Sequence, residues 1–222
     1  MLLPVFTHPW SITPEEAIAL QRDLAPKIIL EDRHGPIRTV AGVDVSLKEE
    51  MACAAVVVLS FPDLQVLERV CVKRTVTFPY VPGLLSFREA PAILDALEHM
   101  HSVPDVLIFD GQGYAHPRRI GIATHIGILL DHPTIGCAKS RLCGQYDVPP
   151  PERGSHTWLR DHGEIIGAAV RTRARVKPVF VSAGHKMRLI SAIDLVLRCT
   201  AGYRLPEPTR WAHRLASMGP TQ

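Results

Sequence analysis

Two aspartates stand where a chain can least tolerate an unpaired charge. Asp44 lies inside Val40-Ala41-Gly42-Val43-Asp44-Val45, a run apolar on both faces of a strand. Asp110 closes the apolar run Val106-Leu107-Ile108-Phe109 and precedes Gly111-Gln112-Gly113. A carboxylate so placed is costly unless something cationic pairs with it, and the carboxyl end of a buried strand is where open α/β sheets hold ligands. Plainer readings exist: Asp44 could cap a turn before Leu47, and Asp110 could begin an Asx-turn. A third acid, Glu89, falls one helical turn before Ile93, beside an apolar stripe that would aim it at the sheet. Ser86-Phe87-Arg88-Glu89 also spells a capping box, in which Glu89 would only start its own helix. Against that stands Pro91, which would fall inside such a helix and remove a backbone hydrogen bond. Three carboxylates without Cys or His at zinc spacing suit Mg²⁺, with Mn²⁺ able to substitute. A metal held this way polarises a phosphodiester for in-line attack, with a second metal or a lysine neutralising the leaving side. Lys139, just past a predicted strand, is the candidate lysine; its plainer reading is a strand-end side chain reaching for water.

Two loops frame these acids. Pro79-Tyr80-Val81-Pro82-Gly83 is stiff and carries an aromatic ring, the form of a wedge that enters a base stack, or simply a turn with a packed tyrosine. Gly111, Gly113 and His116 imitate a dinucleotide-binding glycine loop with Asp131 about twenty residues on. The third glycine is absent and the segment does not open a βαβ unit, so the small residues are read as letting backbone amides approach a flat ligand.

The elements that must position these residues follow from periodicity. Thr13 before Pro14, Glu15 and Glu16 predicts a helix toward Lys27, taken as a surface decoration within residues 1–30. Three β-rich runs, Thr39 to Ser46, Cys53 to Ser60 and Gln65 to Lys73, are joined by short turns and so pair antiparallel. A helix follows on Ala90, Ile93, Leu94, Leu97 and His101, ending near Ser102 to Pro104. Strands are then expected at Val106 to Phe109, Thr134 to Ala138, Ile165 to Val170 and Val179 to Val181, with helices at Ile120 to Leu130 and Met187 to Arg198. Consecutive prolines at 149, 150 and 151 mark a Pro-rich loop over 147–160. The resulting expectation is an α/β fold, a ribonuclease H-like mixed sheet of three antiparallel strands then parallel strands, with helices on both faces. If Val106 to Asp110 lies parallel to the first strand, the two aspartates meet.

The chain has 222 residues, 46% hydrophobic and 21% charged, an ordinary globular composition that fits a single domain over 1–222 and excludes a disordered or collagen-like chain. Its longest apolar runs, Ala52 to Leu59 and Gly121 to Leu130, are too short to span a bilayer. No signal peptide is read, so the expected location is cytoplasmic. Five scattered cysteines without a CxxC pair argue against disulfides or a zinc knuckle. A net charge of +3 permits a nucleic-acid partner. The basic residues group at Arg118 and Arg119, at Lys139 and Arg141, and along Arg171, Arg173, Arg175 and Lys177, all readable as solvated faces.

Taken together the segments resemble the endonuclease V family, the deoxyinosine repair nucleases. The resemblance rests on Ala41 to Val45, Pro79 to Glu89, Asp110 to Gly113 through His116-Pro117-Arg118, Pro133 to Ser140, and Tyr203 to Arg210 with Ala212-His213. It implies Mg²⁺-dependent hydrolysis of the second phosphodiester bond 3′ to a deaminated base in DNA, leaving 3′-hydroxyl and 5′-phosphate ends. An alternative within the same chemistry is an endoribonuclease acting on inosine in RNA. The resemblance further implies that Asp44 and Asp110 are metal ligands and Glu89 the third acid. His213 would support them near the metal, while His116 and Lys139 would aid catalysis or phosphate contact. Pro79, Tyr80, Val81 and Pro82 would form a strand-separating wedge. Gly83, Leu85, Gly111, Gly113, Gly136 and Leu142 would form the base pocket, largely through backbone. The implied partner is DNA with deaminated bases, with RNA as the alternative, with no membrane and a monomeric protein. Cys137 stands where an apolar residue is usual, and Ala183-Gly184-His185 where a Pro-Gly pair is frequent, which leaves the late strand the least secure.

Overall fold

The computed structural model describes residues 2–219. Helix α1 (Pro14–Leu24) and a 3-10 turn (Ala25–Lys27) precede three strands, β1 (Thr39–Lys48), β2 (Met51–Ser60) and β3 (Val66–Thr75). Helix α2 (Leu85–Glu98), β4 (Val106–Phe109), α3 (Ile122–Leu130) and β5 (Thr134–Ala138) follow. The chain continues through β6 (His156–Asp161), β7 (Glu164–Val170), β8 (Val179–His185), α4 (Leu189–Arg198) and α5 (Glu207–Met218). All strands join one mixed sheet in the order β3-β2-β1-β4-β5-β8-β7-β6.

The β1–β3 meander is antiparallel, and β4 and β5 extend it parallel to β1. The parallel part stops there, because β8, β7 and β6 add an antiparallel ribbon at the far edge. Both sheet faces are covered, which is why Ala52 to Leu59 is buried without alternation. Val43, Val56, Leu107 and Phe109 pack beneath α2 and α3, while Val40, Val57, Ile108 and Val181 pack beneath α4 and α5.

Several elements differ from the sequence reading. Helix α2 ends at Glu98, so His101 lies beyond it and donates its backbone N–H to Glu68. The Pro-rich loop is shorter than 147–160, since His156 to Asp161 pairs with β7. Arg171, expected on a solvated face, is buried and donates to the carbonyls of Pro149, Pro150 and Val176. Prolines have no N–H to give but keep their acceptors, and a guanidinium satisfies them several at a time. Helix α5 was not expected at all. Its only sequence signals are Glu207 and Pro208 in the first turn and a short apolar stripe ending in Ala212 and Ala216.

Helix α1 is capped as expected, Thr13 and Glu16 exchanging side chain to backbone bonds at 2.7 and 3.2 Å. It is no mere decoration. Gln21 is 1% exposed; its Nε2 donates to the carbonyls of Gly83 and Ile120, and its Oε1 accepts from Arg118 Nε at 2.5 Å. One side chain thus ties the Pro79–Gly83 loop to the segment after the glycine loop.

Candidate active site

The parallel pairing of β1 with β4 ends at Val43 beside Phe109, so the next residues, Asp44 and Asp110, emerge side by side. The Asp110 N–H donates to Val43 O at 3.0 Å and continues the ladder one step, which fixes Asp110 against β1. Strand β1 runs on to Lys48, which removes the turn-cap reading of Asp44. A carboxylate oxygen of each aspartate and a ring nitrogen of His213 lie within 4.8 Å of one another. His213 comes from α5, and its Nδ1 is 2.8 Å from Asp44 Oδ2. Because an ionised carboxylate only accepts, that nitrogen donates, and His213 orients Asp44.

Lys139, one residue past β5, places Nζ 2.5 Å from Asp110 Oδ2. Burial raises the Asp44 pKa first and the neighbouring Asp110 charge second, with His213 and Lys139 opposing. Glu89 lies outside the 4.8 Å group. It is nevertheless pushed up to about 8, by burial and then by the charges of Asp44 and Asp110. Three acids therefore share one region that is short of positive charge, the electrostatic condition a bound cation relieves.

The capping-box reading of Glu89 fails. Helix α2 starts at Leu85 behind Leu84 with no side-chain cap, and Ser86 Oγ bonds His125 instead. Pro91 lies in the second turn rather than near the start, and the helix runs through it.

Next to the acids opens a cavity of about 370 Å³. Asp110, Gly111, Gln112, Lys139 and Leu142 line one side, and Tyr80, Val81, Pro82, Gly83 and Leu85 the other. Tyr80 is 72% exposed at the rim, while Arg88 holds the root of the loop through a 2.9 Å bond to Phe78 O. Leu85 and Ser86, in the first turn of α2, present backbone N–H groups that have no acceptor among the described residues.

Gly113 and Gly136 do not line this cavity. A Cβ on Gly136 would stand 2.2 Å from Gly113 N, and one on Gly113 would stand 2.2 Å from Ala183 O. Their role is to let β5, the glycine loop and β8 stack backbone on backbone. That stack also orders β8 through His185, with Tyr114 N–H donating to Ala183 O.

His116 lines the cavity, yet both its nitrogens are engaged. Nε2 is 2.9 Å from Gly83 O and Nδ1 3.1 Å from the Arg118 N–H, which requires the neutral Nε2–H tautomer. Burial, then Arg118, pulls its pKa down to about 4. In this geometry His116 braces the Gly83 turn, where φ is +79°. Sequence reasoning singled out neither Gln21 nor His125, and read Ser86 only as the start of a capping box. Only tertiary neighbours give these residues their roles.

Against known proteins the geometry has clear counterparts. The sequence profile of the family described as endonuclease V matches residues 22–214. The chain belongs to the endonuclease V family. An endonuclease V of Roseiflexus sp. is 56% identical over 214 residues, covering 96% of both chains. The crystal structure of endonuclease V from Streptomyces avermitilis superposes with a TM-score of 0.90 at 42% identity, over 94% of this chain and 93% of that one. Endonuclease V of Ciona intestinalis, solved in complex with a 24mer DNA containing an inosine followed by a ribo-adenosine, has a TM-score of 0.81 at 29% identity. It covers 92% of this chain and 95% of its own. The fold is thus that of the ribonuclease H-like endonuclease V structures, and the enzyme class is a metal-dependent endonuclease, a hydrolase of deoxyribonuclease V type. Among the described residues no helix is long and apolar enough to cross a membrane.

Proposed function

We propose that this member of the endonuclease V family cuts DNA at deaminated bases, deoxyinosine foremost, hydrolysing the second phosphodiester bond 3′ to the lesion with Mg²⁺, for which Mn²⁺ can substitute. The observation that carries the reading is that one cavity has both the Tyr80 loop and the Asp110–Lys139 pair on its walls. A base extruded past the loop would come to rest with its own strand against the acids.

The donor set fits the cation. Asp44 and Asp110 offer hard oxygens, which Mg²⁺ and Mn²⁺ prefer. Glu89, on α2, is the third acid and would complete the negative charge around the cation or hold the attacking water. When bound, the metal supplies Lewis-acid polarisation of the phosphodiester and stabilises the negative charge that builds on it. The protein's residues do the rest. His213 keeps Asp44 turned toward Asp110. Lys139, whose Nζ lies 2.5 Å from Asp110 at the same edge, would meet the phosphate. Pro79, Tyr80, Val81 and Pro82 separate the strands, at a cost that inosine's weak pairing lowers. Gly83, Leu85, Gly111 and Leu142 form the pocket wall, where the free amides of the first turn of α2 can donate to the base.

The test is a labelled duplex with one inosine, incubated with Mg²⁺ and either the protein or Asp110→Ala. A single nick by the protein, absent with the variant, is expected. An intact strand, or cutting indifferent to the substitution, would reject the reading. A matched inosine RNA belongs in the same assay, and preference for it would transfer the assignment to an endoribonuclease.

A further inference from the structure

We propose that Ser86 reads the extruded base as a fixed hydrogen-bond acceptor, its polarity set by a buried relay that runs through His125 to His8. The inference rests on the reading of the 370 Å³ cavity as the base pocket, since Ser86 stands on that cavity's wall.

The relay follows from which atoms can donate. His8 Nδ1 lies 2.9 Å from Pro9 O, and a carbonyl only accepts, so Nδ1 carries the proton. The other nitrogen of neutral His8 is then bare, and it lies 2.8 Å from His125 Nε2. His125 must donate there, which leaves its Nδ1 bare, 2.9 Å from Ser86 Oγ. Ser86 therefore gives its only proton to His125 and keeps lone pairs alone for any further partner. Among the described residues nothing else bonds to that oxygen.

The surroundings hold the chain in this state. His125 is fully buried, and burial drives its pKa down to about 3, so it stays neutral. His8 stacks on it with ring centroids 5.0 Å apart, and Trp10 and Phe87 close over the pair at 5.7 and 5.2 Å from His125. Without the relay a serine hydroxyl could rotate to donate or accept as the ligand required.

A fixed acceptor has a use here. The first-turn amides of Leu85 and Ser86 are donors, so the wall offers a donor beside an acceptor. Hypoxanthine presents the complement, an accepting O6 beside a donating N1–H. Adenine, its parent, presents the reverse, a donating N6 beside an accepting N1. Both contacts then fail for adenine, and a pocket that leaves its buried polar groups unpaired rejects a ligand strongly. Guanine shares the O6 and N1–H pattern, so the relay discriminates against adenine and not against guanine.

The experiment compares single-turnover cleavage of two strands, one with deoxyinosine and one with deoxyribosyl purine, whose N1 carries no hydrogen. The readout is the ratio of the two rates in the wild type, in Ser86→Ala and in His8→Phe, with thermal melts to show that each variant is folded. His8→Phe keeps the stacked ring but removes the acceptor that fixes the His125 tautomer. We expect the ratio to fall about tenfold in Ser86→Ala, the loss of one hydrogen bond of about 1.4 kcal/mol, and by a smaller factor in His8→Phe. The ¹⁵N shifts of the His125 ring should report a protonated Nε2 and bare Nδ1 in the wild type and a tautomer mixture in His8→Phe. An unchanged ratio in either variant, with inosine still cut by the wild type, overturns the relay and leaves the proposed function standing. Failure of the wild type to cut inosine removes both.

Discussion

Gly42 and Pro208 meet backbone to backbone: a Cβ on Gly42 would stand 1.9 Å from Pro208 O. Strand β1 and the first turn of α5 can approach this closely only because residue 42 has no side chain. Two residues further along the same face is Asp44, and five residues into α5 from Pro208 is His213, its 2.8 Å partner. The contact between a glycine and a proline thus sets the distance between a carboxylate and the imidazole that orients it. Gly42→Ala should force α5 outward, costing about 1–3 kcal/mol as overpacking does. It should also lower cleavage further than the lost stability explains. Urea midpoints and single-turnover rates, read side by side at a temperature where the variant is fully folded, check this.

A cation that fits between Asp44 and Asp110 must stabilise the folded state by mass action. The protein's melting temperature should rise with added Mg²⁺ or Mn²⁺ and fall back on chelation. Asp110→Asn should melt at one temperature whatever the metal concentration. A variant that still responded in full would show that the metal sits elsewhere.

Tyr80 is largely in solvent, so it contributes little to stability, and Tyr80→Ala should melt within about 0.5 kcal/mol of the wild type. Only a duplex needs strands parted. Cleavage of an inosine duplex should therefore drop by about tenfold, while an inosine single strand is cut almost as before. Equal losses on both substrates would remove the wedge role.

The histidines give the metal-free protein a pH signature. His116 and His125 are held neutral, with folded pKa values pulled to about 4 and about 3 by burial. The unfolded chain takes up their protons below about 6.5, so stability is lost as pH falls from 6.5 toward 4, by up to about 1.4 kcal/mol per pH unit for each. Glu89 works the other way. Its folded pKa of about 8 lies above the unfolded 4.5, so it adds stability as pH falls through that range. Glu89→Gln should steepen the acid loss between pH 6.5 and 4.5, by urea midpoints measured in chelator. A slope equal to that of the wild type would contradict the shifted carboxyl.

The positions of most strands were legible because their apolar runs are continuous, as expected of a sheet buried on both faces. Thr134 to Ala138 and Val106 to Phe109 coincide with β5 and β4. Strand β6 was hidden because it lies at a half-exposed edge after three prolines, and α5 because the apolar side chains it buries fully, Pro208, Ala212 and Ala216, are small and carry little hydrophobic signal.

Sequence alone determined which residues could hold charge against an apolar background, since Asp44, Glu89 and Asp110 announce themselves by the expense of burying a carboxylate. It also determined the family, through blocks spread over nearly the whole chain. What the tertiary structure decided is who touches whom. His116 was tied to Gly83 and Gly136 to the backbone of the glycine loop, Gln21 and Arg171 became braces, and Ser86 acquired a polarity from a histidine seventy-eight residues before it. Hydrogen-bond direction is a property of a closed chain of donors and acceptors, and such a chain exists only after distant segments have packed together.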